Sequence, residues 1–293
     1  MLDLIFEFLN NYTFRTVAIG SMLICFIIGS IGTFAVLREQ SLLGDTIAHA
    51  SFPGIIFIFL MTLSKDPVII LSGALLSGLL ASLLVYYLAE YTSLKSDAIL
   101  GITLSVSFGI GLVLLSILQN MNLSHQSGVT NFLFGNAATL VEGQIILFSF
   151  IGLILFVLIY LFWKEIKLIT FNSEYAKALG LPVRKINLLI NLFIVIAIVL
   201  GLQAVGVILI SALVVGPMSA SRQWSDSLKT VFILSGIFSA ISGLIGAVIS
   251  SSYSQMPTGP VIVVIISLIV FLSILFAFKR GLLAQKIKTI IYK

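Results

Sequence analysis

The sequence predicts an all-α protein that crosses a membrane eight or nine times, and three observations lead to this fold class. Of the 293 residues, 59% are hydrophobic and 9% are charged, whereas a soluble domain carries roughly 25% charged residues. The mean hydropathy is +1.20. Apolar runs near the ~20 residues that a spanning helix needs recur along the whole chain. Residues 1–293 are therefore expected to form a single transmembrane domain.

Nine apolar runs follow one another in chain order. The seventh is shorter than the others, and Gly201 and Gly206 bracket the turn before it. This run is either a half-helix or a tilted span, which leaves the predicted count at eight or nine. The runs cover about residues 14–37, 42–62, 67–90, 97–119, 141–163, 187–204, 206–220, 229–251 and 259–279.

Basic residues in the loops predict the orientation. If nine segments alternate, 14 of the 16 basic residues fall on one side, and Arg15 and Lys65 fall on the other. Because Lys and Arg accumulate in cytoplasmic loops, the N-terminus is expected outside the cell membrane and the C-terminus in the cytoplasm. The net charge of +5 is then explained by these loops and requires no nucleic-acid partner.

Two absences from the sequence narrow the function. The single cysteine, Cys25, excludes internal disulfides and any cysteine metal cluster. The chain has no G-x-x-x-x-G-K-[ST] phosphate-binding loop. We therefore expect that it is not an enzyme, that it binds no resident cofactor, and that any coupling to ATP comes from another subunit.

The most informative stretch is Gly44–Gly54, which places an acid and a histidine four residues apart in an apolar run. Positions i and i+4 share one helix face, so Asp45 and His49 can bind one divalent cation together. A charge inside a membrane segment is costly and usually faces a pathway or a partner. Pro53 has no N–H, so the carbonyl oxygen of His49 is also free. We predict that Asp45 and His49 bind a metal ion.

The alternative role for this pair is a buried hydrogen bond that only holds helices together.

The depth of the pair in the membrane is a second consideration. If a plain helix begins at Leu42, Asp45 lies only ~5 Å along it, near the cytoplasmic face. A site in the middle of the membrane would require residues 39–44 to enter as irregular chain, which is tolerated only inside protein.

Four other polar residues carry weaker expectations. His125 lies in an uncharged outer loop and is expected to be solvated, with metal capture as the alternative. Asp97 and Glu142 are expected at helix starts, where the helix dipole favours an acid. Gln203 lies at an outer turn and is a candidate for lining a pore.

Small residues recur at the spacing of helix contacts. Rows of small residues four positions apart let helices approach closely in lipid. They predict a tight bundle and do not indicate any one function. The rows are Gly73 and Ser77, Ala74 and Gly78, and Gly101, Ser105 and Gly109.

Two stretches on the predicted cytoplasmic side are candidates for docking a partner. Residues 171–182 are typical of a short amphipathic helix that ends at Gly180 before Pro182. Residues 217–226 combine small side chains with an arginine and a tryptophan. The alternative for both stretches is an ordinary solvated connector.

The Asp45–His49 segment belongs to a longer ordered set of residues. The set begins at Leu37-Arg38, passes from Ser41 through Asp45 and His49 to Pro53-Gly54, and runs from about residue 14 to residue 283. In this order the chain resembles the permeases of manganese, zinc and iron ABC importers. The further matches are Lys95-Ser96-Asp97 before Gly101, Leu133-Phe134-Gly135-Asn136, Ala176 to Pro182, and Gln203-Ala204-Val205-Gly206 through Pro217.

The resemblance implies a homodimeric permease that works with two cytoplasmic ATPase subunits and an extracytoplasmic metal-binding protein. It implies the fold of the larger vitamin B12 and siderophore permeases without their first helix, in agreement with an outside N-terminus. It aligns the family's coupling helix with the region after Pro217, so residues 219–227 are preferred over 172–182 for the main ATPase contact. The expected contact residues are Ser219, Ala220, Ser221, Arg222, Gln223 and Trp224.

The resemblance favours Mn²⁺ but leaves the metal open. Where the family often has Thr-Pro-Ala-Ala, this chain has residues 215–218, Val-Gly-Pro-Met. Residues 257–260 and 279–283 look most like manganese-type members. Hard oxygen ligands suit Mn²⁺, whereas imidazole also suits Zn²⁺, so Zn²⁺ and Fe²⁺ are the alternatives within the family. A stand-alone cation channel or proton-coupled carrier is the alternative from another class, and it would usually carry more intramembrane acids.

Overall fold

The computed structural model of the chain describes residues 12–64, 66–121, 135, 137, 140–252 and 256–284. His125, and Leu133, Phe134 and Asn136 of the stretches that carry the resemblance, lie outside the described residues. The helices are α1 (Tyr12–Leu37), α2 (Leu43–Thr62), α3 (Pro67–Tyr91), α4 (Ser96–Asn120), α5 (Glu142–Leu161), α6 (Trp163–Phe171), α7 (Ser173–Ala178), α8 (Val183–Val205), α9 (Ile210–Trp224), α10 (Leu228–Ser252) and α11 (Thr258–Phe276).

In the described part of the chain, eight helices are long and apolar enough to cross a membrane. They are α1 to α5, α8, α10 and α11. The short segment is α9, whose 15 residues extend roughly 22 Å at 1.5 Å per residue, less than the ~30 Å hydrocarbon core. The predicted all-α bundle is confirmed, and the counts of eight and nine differ only in whether α9 is included.

Side-chain contacts sort the helix termini into two ends of the bundle. At one end, the Tyr12 hydroxyl donates to Glu142 Oε2 at 2.6 Å, which joins the starts of α1 and α5. We call this the Tyr12 end. At the other end, Arg38 donates to the side-chain oxygens of Asn187 and Asn191, which joins the end of α1 to the start of α8.

The end that contains Arg38 is called the basic end, because most described Lys and Arg residues lie there, with Arg15 near the Tyr12 end. The helix order therefore separates basic residues as the loop pattern predicts. The basic residues at this end are Arg38, Lys95, Lys164, Lys167, Lys177, Arg184, Lys185, Arg222, Lys229, Lys279 and Arg280.

Helix α9 differs from the predicted segment 206–220. It begins at Ile210, four residues later than expected, and continues to Trp224 with the buried Pro217 inside the helix. Gly206 ends α8 with a φ of 85°, a conformation that glycine adopts without steric cost. Gly201 brackets no turn, because it lies inside α8.

The helices differ in how much of their surface the chain itself covers. Helices α1 and α8 are mostly buried and form the centre, whereas α4, α5 and α11 expose most of their surface. Helix α1 packs extensively against α10, and α2 packs against both α3 and α4. The candidate site on α2 therefore lies between two helices, one of which has a large uncovered face.

One predicted small-residue row joins α2 to α3. A Cβ added to Gly54 would lie 2.1 Å from the carbonyl oxygen of Gly73, so the two backbones touch where both side chains are absent. Ser77 of the same row donates to the carbonyl oxygen of Ser51 at 3.2 Å. In contrast, a Cβ added to Gly101 or Gly109 on α4 would meet nothing within 4 Å.

Candidate metal site

Asp45 and His49 lie on one face of α2, as their spacing predicts. The Nε2 atom of His49 is 3.4 Å from Oδ1 of Asp45, and the two side chains are 16% and 29% exposed, respectively. A strong hydrogen bond between a charged nitrogen and a carboxylate measures about 2.7–2.9 Å. The two groups are thus near neighbours without being locked together, and both keep some access to the surface of the chain.

The site lies near the middle of the bundle, which resolves the question of depth. The His49 ring contacts Phe108, the midpoint of the 25-residue α4. Ser51 lies against Gly78, close to the midpoint of the 25-residue α3. His49 is therefore about 18 Å from the basic ends of these helices but only about 9 Å from the start of α2.

Helix α2 thus begins inside the bundle. The connection from α1 is a short turn at residues 38–42, in which Glu39 has a φ of 58°. A Cβ at Gly32 of α1 or at Gly44 of α2 would come within about 3 Å of Val214, at 2.8 Å and 3.0 Å respectively. Because Gly32 and Gly44 contact the same residue of α9, Gly44 lies at the height of Gly32, inside the span of α1. The irregular chain between the two helices, residues 38–42, is shorter than the predicted stretch 39–44.

Within the described residues, one chain supplies an incomplete set of ligands. No third His, Cys, Asp or Glu joins Asp45 and His49 in this part of the chain. Pro53 lies inside a continuous α2, so the His49 carbonyl lacks its usual helical N–H partner. Divalent transition metals prefer roughly four to six ligands, so a metal at this pair would need further ligands.

Asp97, Glu142 and Gln203 each lie in the first or last turn of a helix. Asp97 and Glu142 lie in the first turns of α4 and α5, as expected. Gln203 does not line an open pore, because its side chain is 4% exposed and its Nε2 donates to Gln144 Oε1 at 2.9 Å. This bond ties the end of α8 to the start of α5 at the Tyr12 end.

The predicted coupling segment is largely helical and partly buried. Residues 219–224 belong to α9, and only residues 225–227 form the turn to α10. Ala220 and Ser221 are fully buried, and the Ser221 hydroxyl donates to the Met218 carbonyl at 3.0 Å. The contact of these two residues with an ATPase stays a prediction, and both side chains are packed inside this chain. Partly exposed side chains remain at Ser219, Arg222, Gln223 and Trp224.

The second candidate segment, 171–182, presents a more accessible surface. Phe171, Tyr175 and Leu179 are 56%, 54% and 56% exposed. Asn172 caps α7 by accepting a hydrogen bond from the Tyr175 N–H, and the buried Ala176 attaches the helix to the core. A short helix, α7, is found within this stretch, as predicted. Three large side chains are exposed there at the basic end: Tyr175 within α7, Phe171 just before it and Leu179 just after it. We call these three residues the α7 face.

An ion-paired cluster of Asp226, Lys279 and Arg280, called the Asp226 clamp, joins the turn after α9 to the residues that follow α11 at the basic end. Asp226, in the turn after α9, accepts from Lys279 at 3.2 Å and from Arg280 at 2.6 Å. The hydrogen bond from Lys279 and the two positive charges lower the pKa of the Asp226 carboxyl below its ordinary value. Beside the clamp, the Trp224 and Phe278 rings meet edge to face with centroids 6.0 Å apart.

Arg38 has a structural role that the sequence did not reveal. Its guanidinium donates to Asn187 Oδ1 at 2.9 Å and to Asn191 Oδ1 at 3.2 Å. Burial lowers the pKa of Arg38 to about 10, so the group stays protonated at neutral pH. These bonds fix the turn that leads into α2. Their partners lie about 150 positions away in the chain, so no local pattern indicates them.

Comparison with known proteins finds one family and several close relatives. A model of the ABC 3 transport family matches residues 10–277. The zinc transport system membrane protein TroC of Treponema pallidum is 38% identical over 276 residues, which are 94% of this chain and 93% of that protein. The manganese transport system membrane protein MntC of Bacillus subtilis is 41% identical over 269 residues, 92% of this chain. This chain spans 62% of the length of that MntC protein.

A solved structure of a related chain has the same fold. A chain of PsaBC from Streptococcus pneumoniae, solved in complex with Fab, superposes with a TM-score of 0.84. It is 27% identical, and the match covers 97% of this chain and 99% of that chain.

Proposed function

The chain belongs to the ABC 3 transport family, and on that premise we propose that it is the transmembrane permease of an ATP-driven importer of a divalent transition metal. The observation that carries the proposal is the Asp45–His49 pair. A carboxylate and an imidazole lie 3.4 Å apart at the mid-height of an apolar bundle. Low-dielectric surroundings strengthen the attraction of a carboxylate for a cation, and such intramembrane groups mark ion pathways.

The cargo is proposed to be Mn²⁺, with Zn²⁺ and Fe²⁺ as alternatives. The carboxylate oxygen suits the hard Mn²⁺ ion, while the imidazole nitrogen suits Zn²⁺ as well. The relatives are named for manganese and for zinc. A competition series of the three metals in transport assays would separate them.

A second copy of this chain is proposed to complete the site. Two protomers would supply two carboxylates and two imidazoles, and water would fill the remaining positions. The unpaired small-residue row on α4 supports this arrangement, because Gly101 and Gly109 have open space beside them and Ser105 is exposed. Small side chains let helices of two protomers approach closely in lipid.

The basic end is proposed to face the cytoplasm, following the preference of Lys and Arg for that side. The N-terminus then lies outside and the C-terminus inside. The metal would arrive at the Tyr12 end from an extracytoplasmic binding protein and leave at the basic end. Incomplete coordination by each protomer suits a site that must release its ion.

Two cytoplasmic ATPase subunits are proposed to dock at the basic end. The α7 face is the better-supported contact, since Phe171, Tyr175 and Leu179 are each more than half exposed outside the spanning helices. The partly exposed end of α9, with Arg222, Gln223 and Trp224, is proposed as a second contact at the same end of the bundle. Exposed apolar side chains in an aqueous compartment are typical of protein interaction surfaces.

The proposal is tested by transport in vesicles that contain the chain with and without its partner ATPase. We expect Mn²⁺ uptake against a gradient when the ATPase and ATP are both present, and none when either is omitted. Sustained uphill uptake by the chain alone would refute the importer and favour a proton-coupled carrier. Rapid downhill flux of Mn²⁺ through the chain alone would instead favour a channel.

A further inference from the structure

Phe108 of α4 packs directly against the imidazole of His49. The two ring centroids are 4.6 Å apart and the planes meet at 73°, an edge-to-face contact. The same Phe108 ring lies 5.9 Å from Phe52, which follows His49 by nearly one turn of α2. Phe108 therefore covers one side of the candidate site with an apolar ring.

Contacts between α4 and α2 on either side of Phe108 along the helix fix its position. Toward the basic end, the Thr46 hydroxyl donates to the Leu100 carbonyl at 3.3 Å. Toward the Tyr12 end, a Cβ added to Gly111 would lie 2.6 Å from the Phe52 ring and 3.3 Å from Pro53. Helix α4 cannot rotate or slide against α2 without breaking one of these contacts.

Among the described residues, no hydrogen bond fixes the orientation of the His49 ring. Its Nε2 is 3.4 Å from Asp45, and its Nδ1 is buried with no hydrogen-bond partner among the described residues. A metal-binding histidine is usually oriented by a hydrogen bond from its second ring nitrogen. The torsion that turns an imidazole is intrinsically broad, so packing against Phe108 must restrict it.

We propose that Phe108 is a positioning residue for the metal site. Its ring holds the imidazole with Nε2 toward Asp45 and excludes water from that side of the pair, although Phe108 itself supplies no ligand. This inference rests on the proposed function and adds to it a residue from α4. The size and shape of the Phe108 side chain then set the affinity for the transported ion.

The test compares Phe108→Ala with Phe108→Leu in the reconstituted complex of permease and ATPase. We expect Phe108→Ala to raise the KM for Mn²⁺ about tenfold, the upper range for one lost aromatic contact, with a smaller effect on the maximal rate. Phe108→Leu keeps apolar bulk and should recover most of the affinity. Phe156→Ala is the matched control, because it removes a half-buried ring that packs against Phe26 and Phe232 instead.

A second arm separates positioning from general stability. Combined with His49→Ala, the Phe108→Ala change should cause no further rise in KM, since the ring that Phe108 orients is gone. An unchanged KM in Phe108→Ala, a similar rise in Phe156→Ala, or full additivity with His49→Ala would overturn the inference. If His49→Ala itself transports normally, the proposed metal site has failed rather than the role of Phe108.

Discussion

The Nε2 atom of His49 lies 3.4 Å from the Oδ1 atom of Asp45, one turn apart on α2. This pair is level with the middle of α3 and α4 because α2 begins inside the bundle, where Gly44 packs against Val214. A polar pair close to the start of its helix thereby lies at the mid-height of the bundle. The proposed transport path follows from this placement.

The close approach of α2 and α3 predicts a stability effect at Gly54. Gly54→Ala would place a Cβ 2.1 Å from the Gly73 carbonyl oxygen, so one backbone must move. We expect a destabilisation of about 1–3 kcal/mol, typical of overpacking, measured as a lower melting temperature in detergent. Gly143→Ala is the control, since its Cβ would meet nothing within 4 Å. Equal melting temperatures for the two variants would contradict the close contact.

The open row on α4 predicts the dimer interface. Gly109→Leu should place bulk where a second copy packs and should shift the purified permease from dimer to monomer. The control is Gly143→Leu, which adds the same side chain at another open glycine on α5. Size-exclusion chromatography with light scattering measures both. A dimer that survives Gly109→Leu and Gly101→Leu alike would place the interface elsewhere.

The α7 face predicts a docking surface for the ATPase. Leu179→Asp should weaken ATPase binding and lower metal-stimulated ATP hydrolysis, because an exposed apolar contact becomes a charge that must be desolvated. Metal binding to the purified permease should be unchanged. Gln223→Asp makes a comparable change at the end of α9 and should have a smaller effect. If only Gln223→Asp impairs assembly, the end of α9 is the main contact instead.

The Asp226 clamp predicts a pH-dependent contribution to stability. Because the pKa of folded Asp226 is lowered, the clamp stabilises the protein above the ordinary carboxyl pKa of about 3.9. That contribution is lost as the pH falls through the lower pKa of the folded state. Asp226→Asn should therefore melt below the wild type at pH 7.

The difference between these two melting temperatures should shrink as the pH is lowered through this range. Glu174→Gln, which neutralises an exposed acid of α7, serves as the control. A gap between wild type and Asp226→Asn that stays constant down to the lowest pH measured would show that the carboxylate charge does not stabilise the fold.

Local patterns in the sequence predicted the helices and the shared helix face of Asp45 and His49. The i, i+4 spacing of Asp45 and His49 defines one helix face, and this face is found on α2. Within the described residues, the nine predicted runs match helices α1 to α5 and α8 to α11 within a few residues at most boundaries. These features depend on neighbours in the sequence, which is why the pattern suffices to predict them.

Features that depend on distant residues were not predicted. Arg38 bonds Asn187 and Asn191, about 150 positions away in the chain. The seventh segment was expected over residues 206–220, whereas α9 runs from Ile210 to Trp224 with the buried Pro217 inside it. The contact of Phe108 with His49 depends on how α4 packs against α2. In each case tertiary packing decides a detail that local propensity leaves open.

The most direct test of the central claim is ATP-driven Mn²⁺ uptake by Asp45→Asn, His49→Ala and the double variant in the reconstituted complex. Asp97→Asn, which neutralises an exposed acid at the start of α4, is the matched control. We predict that each single change lowers uptake by at least about tenfold, that the double variant is little worse than either, and that Asp97→Asn is normal. Uptake at the wild-type rate by both single variants, with intact ATPase assembly, would contradict the claim that this pair binds the transported metal.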